Sequence, residues 1–318
     1  PSSVTETTDN HNYFALNAFA TYENTFAEKH YFKAMAGINR ESSRYKRLGV
    51  FANNLVDPTK PAINLNSDSR PKITGAENEW ALFGTVFRLN YIFDKKYLLE
   101  VNGRYDGSSR FSADKRYVFT PSISAGWRIS EEGFMESMKT VVNDLKLRVS
   151  YGQLPNQGFN SDDPYSASNF YPYLATLPVN NSIDYIFGNQ TGVSVGAPGL
   201  VSTNFTWEKS ATTNIGLDFA FLKNRLTGSF DIYERKTSDM LVTGFPLPAV
   251  LGTTPPSQNA GTLVTKGWEL SVGWNDRIGD DLSYDLMLSL ADNHAKLTKY
   301  PMNTTKIFNN WYEGKLDG

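Results

Sequence analysis

Tyr117-Val118-Phe119-Thr120-Pro121-Ser122-Ile123-Ser124-Ala125-Gly126-Trp127-Arg128-Ile129-Ser130 decides the fold class. Tyr117, Phe119, Pro121, Ile123, Ala125, Trp127 and Ile129 fall on one side of this run. Thr120, Ser122, Ser124, Gly126, Arg128 and Ser130 fall on the other. Successive strand side chains point to opposite faces, so this split puts one face in an apolar medium and one in water.

The pattern recurs outward from there. Tyr97, Leu99, Val101 and Tyr105 oppose Glu100, Asn102 and Arg104. Thr213, Ile215, Leu217 and Phe219 oppose Thr212, Asn214, Gly216 and Asp218. Runs at 226–233, 268–275 and 283–290 behave alike, and further strands are read near 12–23, 30–40, 80–92 and 145–152. The total is about ten, many of about the 9–11 residues that a tilted strand needs to cross a bilayer.

The connections sort themselves. Short turns are expected at 24–29, 93–96, 221–225 and 276–281, with 131–144 a longer version that has room for one helical turn. Long connections are expected at 41–79, 106–116, 153–203 and 236–262. Strict alternation of short and long puts all turns at one rim of an antiparallel up-and-down transmembrane β-barrel and all loops at the other. A soluble β-sandwich has no reason to sort them so.

Composition agrees and excludes. The 318 residues include 17 Tyr, 20 Phe, 6 Trp and 24 Gly, yet mean hydropathy is −0.41. Apolar faces that end in aromatics (Tyr97 and Tyr105, Tyr117 and Trp127, Trp268 and Trp274) match the two interfacial girdles of a membrane barrel. The opposite faces carry Glu100, Arg104, Arg128, Arg148, Asp218, Asp231, Glu269 and Asp285, charges that a packed core does not hold unpaired. Zero Cys removes disulfides, thiolate zinc sites and a cysteine nucleophile. His11, His30 and His294 are too scattered for a metal cluster, and a net charge of −2 gives no nucleic-acid signature. No run of 18 apolar residues marks a transmembrane helix.

Residues 97–158 resemble a segment of the SusC/RagA family of TonB-dependent outer-membrane transporters of Bacteroidetes-type bacteria. The likeness lies in Tyr97-Leu98-Leu99-Glu100-Val101-Asn102-Gly103-Arg104-Tyr105-Asp106-Gly107-Ser108-Ser109-Arg110-Phe111, in Pro121 to Glu132, in Leu145 to Gly152 and in Asn156-Gln157-Gly158. Trp207 to Asp218, Asp231 to Leu241 and Lys266-Gly267-Trp268-Glu269-Leu270 continue it in order. Thr265, Trp268 and Leu154-Pro155 depart modestly from the family pattern.

The resemblance implies a 22-stranded barrel plugged by an N-terminal domain, of which residues 1–318 form about ten strands of a single barrel domain. It implies a SusD-like surface lipoprotein over the outer rim, energy from the TonB complex, outer-membrane lipid around the wall, and oligosaccharide or peptide cargo. The plug and the terminal strands are expected outside this chain, because ten strands cannot close and an open edge is not tolerated in lipid.

Chemical motifs are sparse. Asp162-Asp163, Asp280-Asp281 and Glu131-Glu132 are adjacent pairs, and glycosidase carboxylates must face one bond. No nucleophile elbow, phosphate loop or His-Glu-x-x-His occurs. The expectation is therefore no enzyme, no cofactor and no metal. The binding signal is loop 153–203, where aromatic faces mix with Asn, Ser and Gly. Asn156, Gln157, Tyr165, Tyr171 and Tyr173, with Trp311 and Tyr312 in the last outer segment, are the candidate cargo- or partner-facing residues. Arg110 and Phe111 are expected to fix the hairpin tip after Asp106-Gly107-Ser108. Two other readings stay open: a barrel serving as scaffold or in secretion without nutrient uptake, and a soluble carbohydrate-binding β module.

Overall fold

The computed structural model describes residues 3–67, 71–157, 170–180, 186–187, 190–191, 194–244, 247–279, 281–301, 312–314 and 316–317. Ten long strands follow in order: β1 (Ser3–Phe26), β2 (His30–Asn53), β3 (Lys72–Phe93), β4 (Tyr97–Ser108), β5 (Tyr117–Arg128), β6 (Val142–Asn156), β7 (Glu208–Phe221), β8 (Leu226–Val242), β9 (Gln258–Ile278) and β10 (Leu282–Lys299). A two-residue β11 (Leu316–Asp317) pairs with β10. Each of these strands is hydrogen-bonded to the next one in sequence, and every pairing is antiparallel. This is an up-and-down meander, as the alternation predicts.

The register keeps the two faces apart. Tyr97 pairs with Trp127, Leu99 with Ala125, Val101 with Ile123 and Tyr105 with Phe119. Across β7–β10 the same outer face carries Ile215, Ile232, Phe230, Leu270, Leu288 and Leu290. These side chains stay exposed, Ile215 at 52% and Leu288 at 56%. The accessible surface is 21271 Å², against roughly 13,000 Å² for a soluble globule of 35.6 kDa. The molecule is a wall whose apolar face packs against lipid.

Aromatic rows close that face above and below. Phe93 stacks on Tyr97 at 6.2 Å near the turns, and Tyr105 stacks on Tyr117 at 5.3 Å near the loops. Between these rows Phe87 and Phe119 stack across β4 at 6.4 Å. Their rings lie over Gly103, where any Cβ would strike Phe87. Past the outer row the same face turns polar. Arg44 Nε donates to Glu77 Oε1 at 2.9 Å, and Lys266 pairs with Glu234 at 2.9 Å. Charges of this kind belong in water, so the membrane ends there.

The turns are tight. Residues 27–28, 94–95 and 222–224 hold positive φ, which in hairpin turns matches the right-handed twist of the flanking strands. The 131–144 connection carries two 3-10 helices, Ile129–Glu131 and Gly133–Met138. The expected strand at 117–130 therefore ends at Arg128, because Ser130 turns inward and bonds Asp144 at 3.2 Å.

The main departure from the sequence reading is length. β1 and β2 each have 24 residues and β3 has 22, so the expected 41–79 connection shrinks to 54–71. Residues 3–11, 41–53 and 72–79 extend the sheet beyond the lipid. Water wets both faces there, and the amphipathic alternation fades.

Candidate functional site

The inner face of the wall is polar because every second residue of an amphipathic strand must face away from lipid. Its charges are tied across strands. Arg148 of β6 donates Nε and Nη2 to the two carboxylate oxygens of Asp218 on β7, both at 2.8 Å. The same Nη2 reaches Asp231 on β8 at 3.1 and 3.2 Å. To do so the guanidinium passes over Gly216, which pairs with both Arg148 and Asp231. A Cβ on Gly216 would collide with Asp231 and Arg148. Lys146 adds a contact to Asp218 at 3.6 Å. A recess of about 610 Å³ opens beside this network, with Lys33, Arg88, Asn90, Glu100, Lys146 and Arg148 in its lining.

At the rim of short turns, Glu132 accepts the Tyr97 hydroxyl at 2.7 Å and Trp127 Nε1 at 3.0 Å. These bonds hold the Glu132 carboxyl below its usual pKa, the Tyr97 bond most strongly. The girdle aromatics are thus pinned by a carboxylate set in the turn.

At the outer rim the hairpin after β4 builds a small core out of water. Phe111, Val118, Phe205 and Trp207 are buried together, with Leu241 against them. Phe111 lies 4.7 Å from Trp207 and 5.3 Å from Phe205, ring to ring. Each residue from Asp106 to Phe111 has a distinct contact. Asp106 accepts the Arg104 guanidinium at 2.9 Å. Gly107 leaves room for the Tyr117 ring. Buried Ser108 donates to Gln157 Oε1 at 2.9 Å, and Ser109 Oγ accepts Ala81 N–H at 2.9 Å. Arg110 lies over Trp80 at 5.3 Å and Phe170 at 5.4 Å, and burial pushes its guanidinium below the ordinary value. The expectation that Arg110 and Phe111 fix this tip is met.

The candidate loop residues divide. Asn156 donates to Glu208 Oε2 at 2.9 Å, and Tyr171 donates its hydroxyl to the Glu79 carbonyl at 3.0 Å. Asn156 and Glu208 thus join the paired ends of β6 and β7, while Gln157 on Ser108 and Tyr171 anchor loop segments to the sheet. Tyr173 and Tyr312 are half-buried, whereas Tyr165 and Trp311 lie outside the described residues. Sequence reasoning missed Trp80, Phe205, Trp207 and Asn259. Asn259 Nδ2 donates to the Thr206 and Asp239 carbonyls at 2.8 and 2.6 Å and so closes the register shift in β8. Trp207 could have been suspected, since it stands in the stretch that resembles the family. Among the described residues no group of three or more His, Asp or Glu could hold a metal ion.

Residues 2–316 match the model of the TonB dependent receptor-like β-barrel. The chain belongs to this family. It is 38% identical over 216 residues to the TonB-dependent receptor SusC of Bacteroides thetaiotaomicron, covering 67% of this chain and 20% of that protein. It is 33% identical over 278 residues to a TonB-dependent receptor of Formosa agariphila, covering 87% of this chain and 27% of that one. The chain thus spans about a quarter of the length of these curated relatives. Among solved structures, the RagAB peptide importer in its closed-closed state superposes with a TM-score of 0.81 at 24% identity, over 98% of this chain and 33% of that one. This TonB-dependent receptor barrel is therefore of SusC/RagA type and lies in the outer membrane.

Proposed function

We propose that the chain is a stretch of the barrel wall of an importer that draws oligosaccharides or peptides across the outer membrane. In this reading the TonB complex supplies energy and a SusD-like lipoprotein closes the outer rim. Residues 1–318 are one part of a single barrel domain, with the plug and further strands supplied from outside the chain. The wall binds and guides and makes no covalent bond. The observation that carries the reading is the two-solvent wall: lipid-facing aromatics outside, and inside a hydrophilic surface whose charges are fixed to one another and leave a passage wetted. The names of the relatives, a SusC and a peptide importer, support import. Asn156, Gln157, Tyr165, Tyr171, Tyr173, Trp311 and Tyr312 are the proposed cargo- or partner-facing set.

The test is a clean deletion of the gene in its source bacterium, with growth scored on single glycans and on peptides at limiting concentration. Loss of growth on one class, restored by the gene in trans, is expected. Unchanged growth on every source sinks import and leaves a scaffold.

A further inference from the structure

We infer that the inner face of the β1–β2 hairpin, with Trp80 of β3, is a platform for one neutral sugar ring of an oligosaccharide. This rests on the import reading above and names its cargo class. Tyr13 faces Ser43 across the hairpin, and Ser43 faces Trp80, so the three share the lumen side. The Tyr13 and Trp80 rings lie 6.3 Å apart and are tilted by 54°, a V on the lumen side with Arg110 over one face of Trp80.

The V is held from below. Tyr13 donates its hydroxyl to Glu41 Oε2 at 3.0 Å. Asn39 Nδ2 donates to Glu41 Oε1 at 3.2 Å and to Asn17 Oδ1 at 2.7 Å. His11 and Ser43 are joined at 2.8 Å. Fixed groups of this kind lower the ordering cost of binding.

Height places the platform in the outer vestibule. Tyr13 is thirteen residues from the turn end of β1 at Phe26, about 43 Å of strand at about 3.3 Å per residue. At a tilt of about 40° that is about 33 Å of height, above an apolar band about 25 Å tall.

The chemistry selects the ligand. Aromatic faces take the C–H faces of a pyranose, and each carboxylate oxygen offers two lone-pair sites. Glu41 can therefore accept sugar hydroxyls while it keeps Tyr13 and Asn39. The flanking cations are already engaged: Arg104, whose charge reaches Glu41, forks onto Asp106 at 2.9 and 3.1 Å, Arg47 forks onto Asp9 at 2.7 and 2.9 Å, and Arg110 sits over Trp80 and Phe170. An acidic sugar or a peptide carboxylate meets the Glu41 charge instead of a waiting cation.

The test uses the full-length transporter, purified in detergent, with calorimetry against a panel of neutral glucan and mannan hexasaccharides and a mixed hexapeptide. Wild type is expected to bind at least one hexasaccharide. Tyr13→Ala and Trp80→Ala should each weaken it about tenfold, as the loss of one ring contact implies, and Trp80→Phe should recover most of it. Tyr13→Ala carries the test if Trp80→Ala misfolds. The platform is overturned if wild type binds none of the sugars, if Tyr13→Ala binds them as wild type does, or if the variants lose only the hexapeptide. Uptake separates the two levels. A deletion strain that cannot grow on a glycan which the Tyr13→Ala strain uses normally sinks the platform and keeps import. A deletion with no growth defect sinks import itself.

Discussion

Between the aromatic rows the sheet meets two solvents; above them it meets one. In the belt, Leu99, Ile123, Ile215 and Leu288 find their apolar surroundings in lipid and need no core. Above it, water is on both sides, and apolar groups must find each other. Phe111, Val118, Phe205 and Trp207 do so, and a miniature globular core appears over the rim of a coreless wall. One sheet thus follows two packing rules, and the boundary lies where charges enter the outer face, Arg40 beside Phe83 and Asp292 beside Trp268 first, then Arg44, Glu77, Glu234 and Lys266.

The largest expected effect breaks the upper region alone. Phe111→Ala empties a fully buried site and should cost about 3–5 kcal/mol locally. Limited proteolysis of the folded receptor should then cut near Phe205 while the belt stays resistant; equal resistance at both places would erase the distinction. Next, Leu288→Arg in the belt should cost about 2–4 kcal/mol, the value for a basic residue deep in lipid. Ser289→Arg, one residue on, faces the wet lumen at the same depth and should cost only about 0–1 kcal/mol, the value at the wet interface. Urea titration of folding into lipid vesicles reads the pair, and similar values would refute the face assignment.

A smaller effect tests the lumen network. Arg148→Met leaves Asp218 and Asp231 facing each other, and the partly exposed site limits the loss to about 1–2 kcal/mol. Gly216→Ala should mimic it through collision, at about 1–3 kcal/mol, and the double variant should lose less than the sum.

The smallest effect is acid-dependent. The Arg47 guanidinium, helped by the Tyr45 hydroxyl, holds Asp9 down from 3.8 to about 2. A lowered carboxylate pKa stabilises fully above the ordinary value, and that contribution fades as pH falls toward about 2. Thermal melting should show Asp9→Asn below wild type at pH 7, with the gap shrinking as pH falls through about 2. A constant gap would place the effect elsewhere.

Legibility in the sequence followed the same boundary. The alternation at 97–105 and 117–127 was readable because two different media act on its two sides. Residues 3–11 and 41–53 carry Glu6, His11, Arg44 and Lys46 among apolar neighbours with no such sorting, so strand looks like loop there. The ion network was half visible: Arg148, Asp218 and Asp231 were read as lumen charges, but which pairs with which depends on register. Tyr13 and Trp80 are 67 residues apart and meet through two hairpins, a contact that no local pattern announces. Asn156, Gln157 and Tyr171 were recognisable by type, while the place of Asn156 at a strand end and the use of the other two as tethers needed the positions of Glu208, Ser108 and Glu79.

The seams between strands also differ mechanically. β1 and β2 pair from Ser3 with Asn53 to Phe26 with His30 without one shift, whereas the β8–β9 seam slips between Thr237 and Met240 and again before Leu241. Load applied along the β1–β2 strip is shared by many backbone bonds at once and is borne in shear. Load at the β8–β9 seam meets its bonds a few at a time and can unzip from the top. A push on the outer rim therefore finds a girder on one side and a crumple zone on the other, and elastic give starts above Lys236.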